Sequence, residues 1–233
     1  MKRTLVCAAV AAAAVAAGAG PAGATNECRG LQVCVRVAGP WVVVPARVGV
    51  PRTRVEFQLA CPRGFVVGGT DAELSDRAID VAFYGKLGSP VNPGVTTSRE
   101  VVFVATFTGA ATRTPTFRPH LGCIPAAGGG AGPVPYAVFP PGRPTVRRVT
   151  EAPLRPARSA RVVRACGAGE RLVGSWTALG FFTAKAPDAR LIRAATVTSA
   201  VREGRVVARV RTTGALRGVR AVLQVGAICG GGQ

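Results

Sequence analysis

Four of the eleven acidic residues, Asp71, Glu73, Asp76 and Asp80, stand within ten positions of one another. Carboxylates at that density can hold calcium, whose ligands are oxygens, or divide into the general acid and base of a hydrolase. The spacing matches no EF-hand loop and Arg77 sits inside the cluster, so the expectation is a salt-bridged loop. The chain has one histidine, His120, three residues before Cys123. A Ser-His-Asp or Cys-His arrangement would have to use it. No nucleophile elbow, phosphate-binding G-K-[ST] or dinucleotide G-x-G-x-x-G accompanies it. His120 is therefore expected as a hydrogen-bonded strand residue, and the chain as a non-enzyme without a cofactor.

Cysteine is the other residue type with chemistry to offer. Setting Cys7 aside leaves Cys28, Cys34, Cys61, Cys123, Cys166 and Cys229. No C-x-x-C occurs, which excludes zinc-type spacing and favours disulfides. Cys61 opens "CPRGFVVGGTDAEL" and Cys166 opens "CGAGERLVGSWTAL"; the next cysteine follows each after 62 and 63 positions respectively. Equal spans from one phrase predict the bridges Cys61–Cys123 and Cys166–Cys229, leaving Cys28–Cys34 to close a small loop. A bridge across about 60 residues stabilises by roughly 4 kcal/mol in the chain-entropy account.

The elements that hold these residues are legible from pattern. "REVVFVATFTG" puts Val101, Phe103, Ala105 and Phe107 on one face. "GRVVARVRTTG" turns Val206, Ala208 and Val210 one way and Arg205, Arg209 and Arg211 the other, and "VRAVLQVGAIC" aligns Val219, Ala221, Leu223 and Val225. Period-two alternation bounded by Gly, Thr and Pro marks half-buried antiparallel strands. Helical periodicity is nearly absent, with "AELSDRAID" offering one short turn. The two copies share Gly64/Gly169, Val67/Leu172, Gly69/Gly174, Thr70/Ser175 and Leu74/Leu179, whereas Asp71 and Glu73 stand against Trp176 and Ala178. What repeats is turn, core and staple; the chemically able residues differ. "PWVVVP" (40–45) is matched with "PYAVFP" (135–140), pairing Trp41 with Tyr136. The second copy also carries an arginine- and proline-rich insertion, "RRVTEAPLRPARSAR". The expected architecture is all-β: two tandem small β-sandwich-like domains, 25–126 and 133–233, each closed by one disulfide and joined by a Gly-rich linker at 127–132.

Met1-Lys2-Arg3, the alanine-rich apolar run after it and Ala22-Gly23-Ala24 have the order of a secretory signal peptide cleaved after Ala24. The remaining chain has no segment long and apolar enough to span a bilayer. Thirty basic residues against eleven acids give a formal charge of +19. Nearly all of it is arginine, since lysine occurs only at Lys2, Lys86 and Lys185. The excess is concentrated late: 17 basic and 4 acidic residues from Arg143 onward, 11 and 7 between Thr25 and Gly142. Such a charge implies attraction to anionic surfaces or polymers. Too few aromatics are present to stack bases, which argues against specific nucleic-acid binding. Trp41, Trp176, Tyr84 and Tyr136 are a sparse set for a sugar platform.

Around "CPRGFVVGG" and "ECRGLQVCVRVAGPWVVVP" the chain resembles a group of secreted bacterial proteins of unknown function, built of disulfide-closed repeats that open on C-P-x-G followed by a valine and paired glycines. The resemblance implies export and β structure, and carries over no catalytic residue. The reading is a secreted, non-enzymatic protein whose Arg155, Arg158, Arg161, Arg205, Arg209 and Arg211 meet an anionic envelope polymer or surface. The alternative is an inhibitor or protein-binding module presenting "GKLGSPVNPGVTTSRE". A hydrolase built on the acidic cluster comes third.

Overall fold

The computed structural model describes residues 25–31, 33–46, 54–85, 99–110, 114–126 and 145–231. They form β1 (Val35–Ala38), β2 (Trp41–Val43), β3 (Arg54–Ala60), β4 (Phe65–Leu74), β5 (Ile79–Tyr84), β6 (Glu100–Phe107) and β7 (Thr116–Pro125). The second half adds β8 (Thr145–Leu154), β9 (Ser159–Ala165), β10 (Arg171–Phe182), helix α1 (Ala189–Arg193), β11 (Ala195–Arg202), β12 (Arg205–Thr212), a 3-10 turn (Gly214–Leu216) and β13 (Arg220–Gly230). The class is all-β as expected, and the three disulfides are Cys28–Cys34, Cys61–Cys123 and Cys166–Cys229. The signal segment 1–24, the linker 127–132, Tyr136 and the loop 86–98 lie outside the described residues.

The two halves pair their strands in the same pattern. Sheet order β3-β6-β5 in the first half is matched by β9-β12-β11 in the second, and β4 pairs β7 as β10 pairs β13. The ladder shifts register at the same place in both, between Val67 and Gly69 and between Leu172 and Gly174. Gly64 and Gly169 adopt φ of +80° and +76° in the turn before that strand, a conformation glycine reaches without strain. Val35 lies opposite Cys123 and Val146 opposite Cys229, so β8 occupies the place of β1 and β2. Here the sequence reading is corrected. The segment taken as an insertion is β8, the turn after it and the start of β9; it is part of the scaffold, because β13 needs an outer neighbour. Nor does "AELSDRAID" hold a helical turn: it runs from β4 through a bend into β5. The helix that forms is α1, where Asp188 follows Pro187 and its Oδ1 accepts the Leu191 N–H at 2.7 Å, satisfying an orphan donor of the first turn.

The two halves are not insulated from each other. β2 pairs with β10, Trp41 opposite Phe181, so one seven-stranded sheet runs through both. Trp176, Ala178 and Val222 join the core cluster of Val55, Phe57 and Phe103. On the other face of β13, Leu223, Val225 and Ala227 pack with Val206, Ala208 and Val210. β13 is thus covered on both sides, not on one as strict alternation suggested. Its near-continuous apolar run is what two-sided burial requires.

Equivalent positions are filled by complementary swaps. Asp71 stands opposite His120 in the first copy, and Trp176 opposite Gly226 in the second. A Cβ on Gly226 would lie 2.0 Å from the Trp176 ring, so the indole needs the glycine. Gly226→Ala should destabilise by about 3 kcal/mol, the upper range for overpacking. Gly214→Ala, with nothing within 4 Å of the new Cβ, should change stability by less than about 0.5 kcal/mol. Denaturant titration of both variants tests the assignment.

Candidate functional site

The outer face of the β9–β12–β11 sheet gathers the arginines. Register places Ser159, Arg211 and Thr196 in one row across the three strands, then Arg161, Arg209 and Thr198, then Val163, Val207 and Ala200, then Ala165, Arg205 and Arg202. Partners in an antiparallel pair share a face, and rows on that face repeat about every 7 Å along the strand. Arg161, Arg202, Arg205, Arg209 and Arg211 are all exposed. None belongs to an ion pair among the described residues. Arg161 faces Arg209 and Arg205 faces Arg202. Like charges directly opposite each other destabilise a sheet by a few tenths to about 1 kcal/mol per pair. The fold tolerates that repulsion because the opposite face is a packed core: Val206, Ala208 and Val210 are each 1 % exposed or less.

Arg155 and Arg158 lie in the β8–β9 turn at the Arg211 end of this sheet. The Thr212 hydroxyl donates to the Arg155 carbonyl at 2.5 Å and accepts from the Arg158 N–H at 3.0 Å, fixing the turn beside the strand end. Arg202 was absent from the set read from sequence. Its signal was present, however: in "REGR" Glu203 and Gly204 have φ of 49° and 69°, a tight hairpin turn that sets the flanking arginines opposite each other.

The acidic residues singled out from sequence do not converge. Asp71 and Glu73 point to one face of β4, while Asp80 lies on β5 in a different sheet. Asp71 accepts the Asn26 N–H, pinning the N-terminal disulfide loop. Asp76 Oδ1 accepts the Ala78 N–H at 2.9 Å, closing a bend. Glu73 lies 3.7 Å from both Arg118 and His120. His120 is a buried strand residue whose Nε2 has no hydrogen-bond partner among the described residues. The residues that do meet, Cys166, Cys229 and Glu170, offer little to a metal. The sulfurs are bonded to each other, and Glu170 is taken by a bidentate Arg148 at 2.6 Å and by the Gly167 N–H.

That last constellation sets a pH dependence. The Arg148 hydrogen bonds first, then the Gly167 N–H, pull the Glu170 carboxyl down to about 2. A folded pKa below the ordinary value stabilises the fold at pH above about 4.5, and the contribution is lost as pH falls toward 2. Acid titration of Glu170→Gln against the native chain should therefore show a shallower loss of stability between those limits, with the turn before β10 as the site of the difference.

No family model, no curated protein and no solved structure matches this chain. No helix among the described residues is long and apolar enough to cross a membrane.

Proposed function

We propose that the chain is an exported, non-enzymatic binding protein whose second small sheet grips an anionic polymer of the cell envelope. One observation carries the reading: five exposed arginines on one sheet face, two pairs of them directly opposed, with no carboxylate partner among the described residues. An unpaired guanidinium forks onto two oxygens of a phosphate, sulfate or carboxylate. A polyanion laid across the face would turn the cross-strand repulsion into attraction. The hydroxyls of Ser159, Thr196 and Thr198 lie in the same rows as donors of shorter reach. Three disulfides are compatible with an extracellular setting. The face presents no aromatic side chain, which disfavours base stacking.

The test uses the full chain, since its halves share a core. With about five phosphates neutralised, log affinity for a phosphate polymer should fall with log salt at a slope of roughly −4. Reversing Arg205, Arg209 and Arg211 to glutamate should cut retention on immobilised polyphosphate and flatten that slope. Stability should hardly change, because the positions face solvent. Retention that survives the triple reversal would assign the binding elsewhere.

A further inference from the structure

β11 is an outer strand of the arginine-bearing sheet. Its ladder with β12 runs from Ala195 to Arg202 without a register shift. Ala195 pairs with Thr212, and the neighbouring Thr213 N–H donates to the Ala194 carbonyl at 2.8 Å. That bond flanks a non-hydrogen-bonded pair, and the two kinds of pair alternate along an antiparallel ladder. Thr196, Thr198, Ala200 and Arg202 therefore direct their N–H and C=O at β12, whereas Val197, Ser199 and Val201 direct theirs outward. No hydrogen bond from another described element reaches those three residues.

Other outer strands are guarded. On β4 the Ala72 N–H is taken by Asp71 Oδ1 at 2.8 Å, on β3 the Gln58 N–H is taken by Gln224, and β8 carries Pro153. β11, "ATVTSAVR", has no proline, no lysine and no bulge, the usual guards of an exposed edge. β5, its counterpart in sheet order, exposes two of its 6 residues; β11 exposes six of its 8, and Val201 is 54 % exposed. The second half leaves open an edge that the first largely covers.

We propose that β11 pairs antiparallel with β11 of a second copy of this chain, about a twofold axis at Ser199. Outward-directed residues must meet in hydrogen-bonded pairs, and this register achieves it: Ser199 faces Ser199, and Val197 faces Val201 on either side. Thr196 faces Arg202 and Thr198 faces Ala200, so no arginine is set directly against another. The ends are complementary in charge, because exposed Glu203 comes opposite Ala195, two residues after exposed Arg193 of α1. A twofold contact uses one edge of each copy and closes there. The axis stands perpendicular to the sheet, so the two arginine faces lie side by side as one. The pairing itself needs no polymer and stands apart from the polymer reading.

In sedimentation velocity the full chain should be a monomer when dilute and a dimer when concentrated. High salt should favour the dimer by screening the repulsion between two basic copies. Amide exchange followed by NMR should slow in the dimer by about tenfold or more at Val197, Ser199 and Val201. It should not change at Thr198 and Ala200, which β12 already holds. Ser199→Pro should abolish both the dimer and the protection with thermal unfolding little changed, since proline is tolerated where an edge N–H faces outward. Val201→Lys, at an exposed position, should do the same by setting a charge against Val197. A chain that stays monomeric in high salt up to its solubility limit would overturn the assignment and leave the edge to a strand of another protein. So would a dimer that survives either substitution, or one whose new protection falls on a different strand.

Discussion

Gln224 makes a strand edge out of a side chain. β3 is the outer strand of its sheet, and the backbone of Gln58 would leave an N–H and a C=O unpaired there. The Gln224 amide takes both, its Oε1 accepting the Gln58 N–H at 2.9 Å and its Nε2 donating to the Gln58 carbonyl at 2.7 Å. A second contact lies two residues along the same strand, where buried Glu56 receives Arg147 at 2.6 Å and Arg54 at 3.2 Å. Both interactions join the first half to the second. Buried charges are stable only when paired, and removing one partner typically costs 3–5 kcal/mol. A small displacement of the halves would therefore orphan an amide pair and a buried carboxylate together. The seven-stranded sheet and the burial of Trp176 both depend on that seam.

The staples and the strands were legible because they rest on local pattern. Cysteine spacing declares a bridge, and alternation declares a half-buried strand. The union of the halves was not legible, because it depends on which face of β13 meets which sheet. Gln224 reads as a solvent residue in "VLQVG" and becomes one only 3 % exposed once β3 is laid against it. β8 was missed for a related reason: its mixture of arginine, proline and alanine makes sense on an edge beside β13, where Pro153 needs no N–H, and looks like a loop without that neighbour. The arginine face was half legible. Alternation gave Arg205, Arg209 and Arg211 a common side, but the place of Arg161 opposite Arg209 depends on long-range register.

The repeat also bears on whether the arginines are anything more than composition. Counting back five residues from the first cysteine of each copy, Glu56 and Arg161 occupy the same place, on the same strand of the same small sheet. In the first copy that place faces the other half, and its charge is neutralised inside the fold by Arg147. In the second copy no part of the described chain covers it. Its cross-strand neighbour is Arg209, where the first copy has Val104. A bias toward arginine would raise its frequency at exposed positions generally. It does not account for a face on which two arginine pairs oppose each other while its counterpart carries a carboxylate already matched to a cation. The same surface of the scaffold is used twice: once inward, where a basic residue of the chain completes it, and once outward, where the proposed anionic polymer would supply the acidic charge.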